Sequence, residues 1–149
     1  MAIRTALLSF GMSGRVFHAP FIHLHPGFTL VSCWERSQKH IQSIYPSVES
    51  VSDMDLILRD ASIDLIIVNT PIYTHFEYAQ KALEAGKHVL CEKPLAVSVE
   101  EAERLRSAVA ASGLTLQVGH MKRYDAGLQA AKTFIDGPMG QMVALKAWY

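Results

Sequence analysis

The chain has 149 residues, and its 14 Lys and Arg balance 14 Asp and Glu, so the net charge is zero with neutral histidines. This length suits one ordinary domain with a fragment of a second. Balanced charge argues against a nucleic-acid binder, which needs a basic excess, and a 50% hydrophobic content argues for a packed core and against disorder.

Residues 3–10 are almost continuously apolar, the pattern of a strand buried on both faces. A glycine-containing turn at 11–14 leads into a helical stretch to about residue 25, which Pro26 and Gly27 break. Residues 29–34 read as a β-branched and aromatic strand, 37–44 as a short helix ended by Tyr45 and Pro46, and 48–51 as a short strand. Ser52 with Asp55 has capping-box spacing and opens a helix to about residue 60. Residues 63–68 are the strongest strand, ended by Asn69, Thr70 and Pro71. Thr74 with Glu77 caps a helix to about residue 85, with Gly86 as its stop. A strand follows at 88–91. Ser98 with Glu101 then caps a long helix to about residue 111, Ser112 and Gly113 close it, and residues 114–119 form another strand. Such alternation predicts an α/β fold, a doubly wound parallel sheet with helices on both faces. Beyond Gly119 the rhythm changes to a helix over 125–135, a turn at 137–138, and a strand at 142–149 carrying Trp148 and Tyr149. The expected division is a nucleotide-binding domain over 1–121 and the start of a second α/β domain over 122–149.

The turn after the first strand reads Ser9-Phe10-Gly11-Met12-Ser13-Gly14, a G-x-G-x-x-G dinucleotide fingerprint with Ser at its first position. A pyrophosphate needs backbone N–H groups at a helix start; Gly11 would let the backbone approach it, and Gly14 would let the helix pack on the strand. Phe10, Gly11, Met12, Ser13 and Gly14 are therefore candidate cofactor contacts. The acidic residue expected at the end of the second strand is Glu35, 21 positions past Gly14, with Arg36 beside it. A carboxylate there takes the ribose hydroxyls of NAD, and an arginine holds the 2′-phosphate of NADP. Both cofactors stay open, and Glu35 tips the expectation slightly toward NAD.

Two further segments carry a family resemblance. One contains Asn69-Thr70-Pro71 and His75, followed by Gly86-Lys87-His88-Val89 and Glu92-Lys93-Pro94; the other is Gly119-His120-Met121-Lys122-Arg123-Tyr124. Together with Gly14-Arg15-Val16-Phe17-His18-Ala19-Pro20 they resemble the glucose–fructose oxidoreductase and inositol dehydrogenase (Gfo/Idh/MocA) family over nearly the whole chain, the EKP block most of all. The resemblance implies a Rossmann domain for NAD or NADP, a C-terminal substrate domain that also carries the oligomer contact, and reversible hydride transfer between nicotinamide and a sugar, polyol or related carbonyl compound. It implies proton transfer by Lys93 and cofactor contacts at Asn69, Thr70, Pro71, His75, Glu92 and Lys93. It also implies substrate contacts at Arg123 and Tyr124, where the family's Asn-Arg-Arg-aromatic motif meets Met121 and Lys122 as departures, with His120 a further candidate. A cationic nicotinamide beside an ammonium group favours release of the proton, so a lysine in that place makes chemical sense. The other class of function open to the sequence is a module that senses NAD(P) without catalysis, for which a lysine at that place has no use.

The remaining residues read blandly. His18, His23 and His25 lack any Cys or carboxylate at ligand spacing, so no metal is expected. His18 is open between packing and ligand contact. Cys33 and Cys91 end strands about 14 Å apart in the usual strand order, beyond the ~7 Å limit of a disulfide, and are expected to be reduced thiols of a cytoplasmic protein. The X-Pro bond at Lys93-Pro94 is one where a cis peptide is accessible. No apolar run approaches the ~18 residues of a membrane helix. The expected partner is a small-molecule substrate, with neither nucleic acid nor membrane, and a homo-oligomer at full length. By itself the chain is expected to bind cofactor weakly and to show no turnover.

Overall fold

The computed structural model describes residues 1–37 and 39–137. It divides into two compact units, Met1–Gly119 and His120–Tyr149.

The first unit is a six-stranded, all-parallel sheet: β1 (Ile3–Leu7), β2 (Phe28–Trp34), β3 (Glu49–Val51), β4 (Leu65–Val68), β5 (His88–Cys91) and β6 (Leu116–Val118), in the order β3-β2-β1-β4-β5-β6. The order reverses beside β1, which opens a crevice at the carboxyl ends of the strands. Side chains alternate across the sheet, and both faces are buried, as the apolar runs predict. Ala6, Leu8, Ile66, Val68, Val89 and Cys91 pack on one face against α3 (Met54–Arg59), α4 (His75–Glu84) and α5 (Val99–Ser112). On the other face Leu7, Leu30, Cys33 and Ile67 pack with α1 (Ala19–Leu24) and α2 (Ile41–Ile44). Each fully buried aliphatic side chain contributes about 1.5–3 kcal/mol.

The element ends separate the sequence signals that act from those that do not. Ser98 does cap α5, its hydroxyl accepting from Glu101 N at 3.2 Å while the Glu101 carboxylate takes Val97 N at 3.0 Å. Gly86 and Gly113 adopt φ of +76° and +69° at the ends of α4 and α5, where a side chain would be strained. The cap of α3 is Asp53, accepting from Asp55 N, and not Ser52, whose carbonyl is taken by the Trp34 indole. Thr74 turns its hydroxyl back onto Pro71 O and the Thr70 hydroxyl, so no capping box forms and a 3₁₀ turn (Ile72–Thr74) precedes α4. The short helix expected over 37–44 starts only at Ile41, where the Glu35 carboxylate accepts from the N–H groups of His40 and Ile41.

The segment Gly86-Lys87-His88-Val89 works structurally. Lys87 is buried and its Nζ donates to Asp60 O and Ile63 O at 2.6 and 2.9 Å, tying the loop before β4 to the start of β5. His88 Nδ1 accepts from Thr115 N at 3.0 Å.

The second unit shows a 3₁₀ turn (Met121–Tyr124) and α6 (Ala126–Asp136), capped by the Asp125 carboxylate on Leu128 N at 3.1 Å. The strand expected over 142–149, with Trp148 and Tyr149, and Pro138 of the expected turn lie outside the described residues. Among the described residues no helix is long and apolar enough to cross a membrane.

Candidate cofactor site

The phosphate loop follows β1 at the reversal of strand order. Ser9, where the fingerprint has glycine, makes the turn with its side chain, its Oγ accepting from Gly11 N at 3.1 Å. Gly14 is sterically obligatory: a Cβ there would lie 2.4 Å from Ser9 O and 3.0 Å from Asn69 Nδ2. Asn69, from the end of β4, donates Nδ2 to Ser9 O at 2.8 Å and so holds the loop to the neighbouring strand. Its Oδ1 is buried without a partner among the described residues, a costly state for a polar atom. A ligand hydroxyl or amide would satisfy it. The residues present therefore fit a dinucleotide. Met12 is exposed and Ser13 half-buried. The Phe10 ring is largely buried, edge-on to Tyr45 at 6.3 Å, at the wall of the neighbouring cavities.

The loop runs into a π-helical turn (Gly14–His18) before α1. The wider turn carries His18 into the interior, where its Nε2 lies 2.8 Å from Glu92 Oε1. Burial pushes the proton affinity of His18 down, and Glu92 opposes the shift. Spacing in sequence offers no signal for a pair 74 residues apart, so His18 belongs to the site although the residues alone left its role open.

At the end of β2 a cavity of about 450 Å³ is lined by Trp34, Glu35, Arg36, Thr70, Tyr73 and Tyr78 among others. Its size and aromatic walls suit an adenosine. Glu35 already has protein donors at this cavity. Its Oε1 accepts from His40 N at 2.9 Å, and its Oε2 from Ser50 Oγ at 2.8 Å and Ile41 N at 3.3 Å. About four acceptor positions exist on a carboxylate, so little capacity remains for a ribose. Arg36 is exposed at the cavity and makes no ion pair among the described residues.

The end of β5 supplies the EKP block. Glu92 N donates to Val68 O at 2.9 Å, extending the β4–β5 pairing by one residue. The buried Glu92 carboxylate also accepts from Lys93 N at 3.2 Å and faces Ser13 Oγ at 3.5 Å, so it joins the EKP turn to the phosphate loop. The Lys93-Pro94 bond is cis, and the Lys93 side chain is exposed at the crevice edge of the sheet. His75 lies beneath this turn. It is 2% exposed, with Nδ1 2.7 Å from Pro94 O and Nε2 2.8 Å from Thr70 O. Each ring nitrogen faces a backbone carbonyl, so His75 sits between the two loops, within hydrogen-bonding reach of both. Pro71 is exposed and Thr70 half-buried beside it.

His120, Arg123 and Tyr124 belong to the second unit, where all three are exposed and Arg123 N donates to His120 O at 3.0 Å. Cys33 and Cys91 are buried free thiols. Burial, then the charge of Glu92, pushes Cys91 up to about 12, and burial with Glu35 raises Cys33. An acid raised in this way stays protonated at neutral pH, and the thiol is the unreactive form. Iodoacetamide at pH 8 should thus leave both cysteines unmodified in the folded protein and alkylate both after denaturation, read by mass spectrometry.

Known proteins share this arrangement. A family model described as an oxidoreductase family with an NAD-binding Rossmann fold matches residues 3–120. The chain is 37% identical over 153 residues to the oxidoreductase C115.03 of Schizosaccharomyces pombe, covering 99% of this chain and 42% of that protein. Two Bacillus subtilis relatives, the scyllo-inositol 2-dehydrogenase (NADP(+)) IolW and a scyllo-inositol 2-dehydrogenase (NAD(+)), are each 32% identical; they cover 90% and 98% of this chain and 37% and 44% of their own lengths. A Bacteroides fragilis protein of known crystal structure, 42% identical, superposes with a TM-score of 0.84, covering 91% of this chain and 42% of that one. The chain thus spans about two-fifths of the length of the relatives it matches. With the parallel sheet, the closed glycine loop and the family match over most of its length, the chain belongs to the Gfo/Idh/MocA oxidoreductase family, with an NAD-binding Rossmann fold.

Proposed function

We propose that this chain is the cofactor-binding part of an NAD(P)-dependent dehydrogenase of a sugar, polyol or related carbonyl compound, with Lys93 as the proton-transfer residue. The observation that carries the reading is the joining of the phosphate loop to the EKP turn through Ser13, His18 and Glu92. It brings the pyrophosphate site and the reacting edge into one connected frame. A bound nicotinamide supplies the hydride acceptor or donor. Lys93 takes the hydroxyl proton as the substrate carbon is oxidised and returns it in the reverse direction. Gly11, Met12, Ser13, Gly14 and the backbone of Phe10 meet the pyrophosphate, and Asn69, Thr70 and Pro71 line the dinucleotide. Residues 122–149 begin the substrate domain, to which Arg123 and Tyr124 contribute, with His120 at its edge. On the family resemblance, the full-length protein is a cytoplasmic homo-oligomer.

Of the two cofactors, the site favours NADP(H). The Glu35 carboxylate is largely taken up by three protein donors, whereas Arg36 stands exposed at the same cavity. This reading differs from the slight lean toward NAD that Glu35 gave in the sequence. Calorimetric titration of the full chain with NAD⁺, NADH, NADP⁺ and NADPH tests both levels. We expect the phosphorylated pair to bind more tightly, and Arg36→Ala to weaken it roughly tenfold to a hundredfold, the worth of a charge-assisted hydrogen bond. NAD⁺ affinity should hardly move. Equal losses for both pairs would remove Arg36 from phosphate recognition, and no binding of any of the four to folded protein would remove the dehydrogenase reading.

A further inference from the structure

Glu92 is a buried carboxylate whose hydrogen-bond partners are all without full positive charge. It is 8% exposed. Its donors are the His18 imidazole at 2.8 Å, Lys93 N at 3.2 Å and the Ser13 hydroxyl at 3.5 Å. Burial lowers the proton affinity of His18 from its ordinary value, and a neutral ring offers the carboxylate an N–H hydrogen bond without cancelling its charge. Among the described residues no Lys or Arg side chain forms an ion pair with Glu92. An ionised carboxylate kept from water with only neutral donors is costly. Three donors, one of them delivered by a π-helical turn, hold it in that state. π-Turns of this kind recur where a side chain must be re-aimed at a functional site.

Its position indicates what the charge is for. The adenosine-sized cavity lies at the end of β2, the phosphate loop follows β1, and Glu92 follows β5 on the other side of that loop. A dinucleotide with its adenosine in the cavity and its pyrophosphate on the loop therefore extends its nicotinamide half toward the Glu92 side. The oxidised nicotinamide carries one more positive charge than the reduced ring.

We propose that Glu92, oriented by His18, makes this site prefer the oxidised cofactor by offering a buried negative charge to the nicotinamide cation. This rests on the dinucleotide reading above. Glu92 acts on the cofactor directly, and His18 is a positioning residue that acts through it. A fixed charge near the ring is one of the means by which a protein tunes a bound cofactor's potential.

The test is the ratio of dissociation constants for NADP⁺ and NADPH, measured by calorimetry on the full chain and its variants, independent of turnover. Glu92→Gln keeps the size and removes the charge. We expect the ratio Kd(NADP⁺)/Kd(NADPH) to rise about tenfold. That corresponds to a shift of about 30 mV toward positive values in the bound cofactor's midpoint potential for a two-electron couple. His18→Ala should raise the ratio part of the way, and His18→Gln, which retains a donor, should restore most of the difference. If Glu92→Gln does not fold, Glu92→Asp draws the charge back by one methylene and should give a smaller rise. A variant that weakens both forms equally would make Glu92 a structural strut and overturn the inference while leaving the dehydrogenase reading intact. Failure of folded wild-type protein to bind any of NAD⁺, NADH, NADP⁺ and NADPH would overturn both; if only NAD⁺ and NADH bind, the same ratio is read with that pair.

Discussion

Lys93→Ala should lower turnover by about 10²–10⁴-fold, the usual worth of a positioned acid–base group, while leaving cofactor affinity within about threefold. The geometry explains why the two effects should separate. The backbone on either side of Lys93 is fixed by other residues: Glu92 N is bonded to Val68 O, and Pro94 O is held by His75. The Lys93 side chain itself is exposed and supports none of this frame. Truncating an exposed side chain changes stability by only about ±0.5 kcal/mol, so the variant should melt with the wild type. Steady-state kinetics on the full-length protein, beside a calorimetric titration and a thermal melt, would check all three statements. Full turnover in the variant would take Lys93 out of the chemistry.

Gly14→Ala should be the most damaging single methyl in the phosphate loop. The added Cβ would sit 2.4 Å from a backbone oxygen, Ser9 O, which already accepts from Asn69. Relief requires moving the end of β1 or breaking that bond. Forcing a group into a packed site costs about 1–3 kcal/mol, and the displaced loop would lose its fit to the pyrophosphate. We expect a lower melting temperature and at least a roughly tenfold loss of cofactor affinity. Gly11→Ala provides the comparison, since its Cβ would meet only the Ser9 hydroxyl at 3.3 Å, a side-chain contact that can adjust. Equal behaviour of the two variants, or unimpaired binding by Gly14→Ala, would contradict the assignment of this turn as the phosphate site.

The candidate site was only partly legible in the residues. Gly14 stands out because its chemistry is local, a tight turn between strand and helix, whereas Lys93 is singled out by the resemblance of its Glu-Lys-Pro segment to the family motif. Phe10 and His75 stand in equally recognisable segments, yet one packs against Tyr45 and the other bridges Thr70 and Pro94. Glu35 occupies the place expected of a ribose acceptor but spends its oxygens on the start of α2 and on Ser50. His18 was undecided from sequence and becomes a partner of Glu92. In each case the deciding contact comes from a different element, or from backbone whose conformation the pattern does not specify.

By itself the sequence determined the alternation of strand and helix, the parallel sheet buried on both faces, the stops at Gly86 and Gly113, the cap at Ser98 and the location of the phosphate loop. These follow from periodicity and from the backbone preferences of single residues, which act over one or two turns. Tertiary structure alone decided which polar groups remain available to a ligand. Placing β4 beside β1 brings Asn69 against Ser9, and β5 on the far side of β4 meets the π-turn after Gly14 through Glu92 and His18. A buried donor or acceptor must find a partner wherever the fold provides one, and across 60 to 74 residues that partner is set by strand pairing.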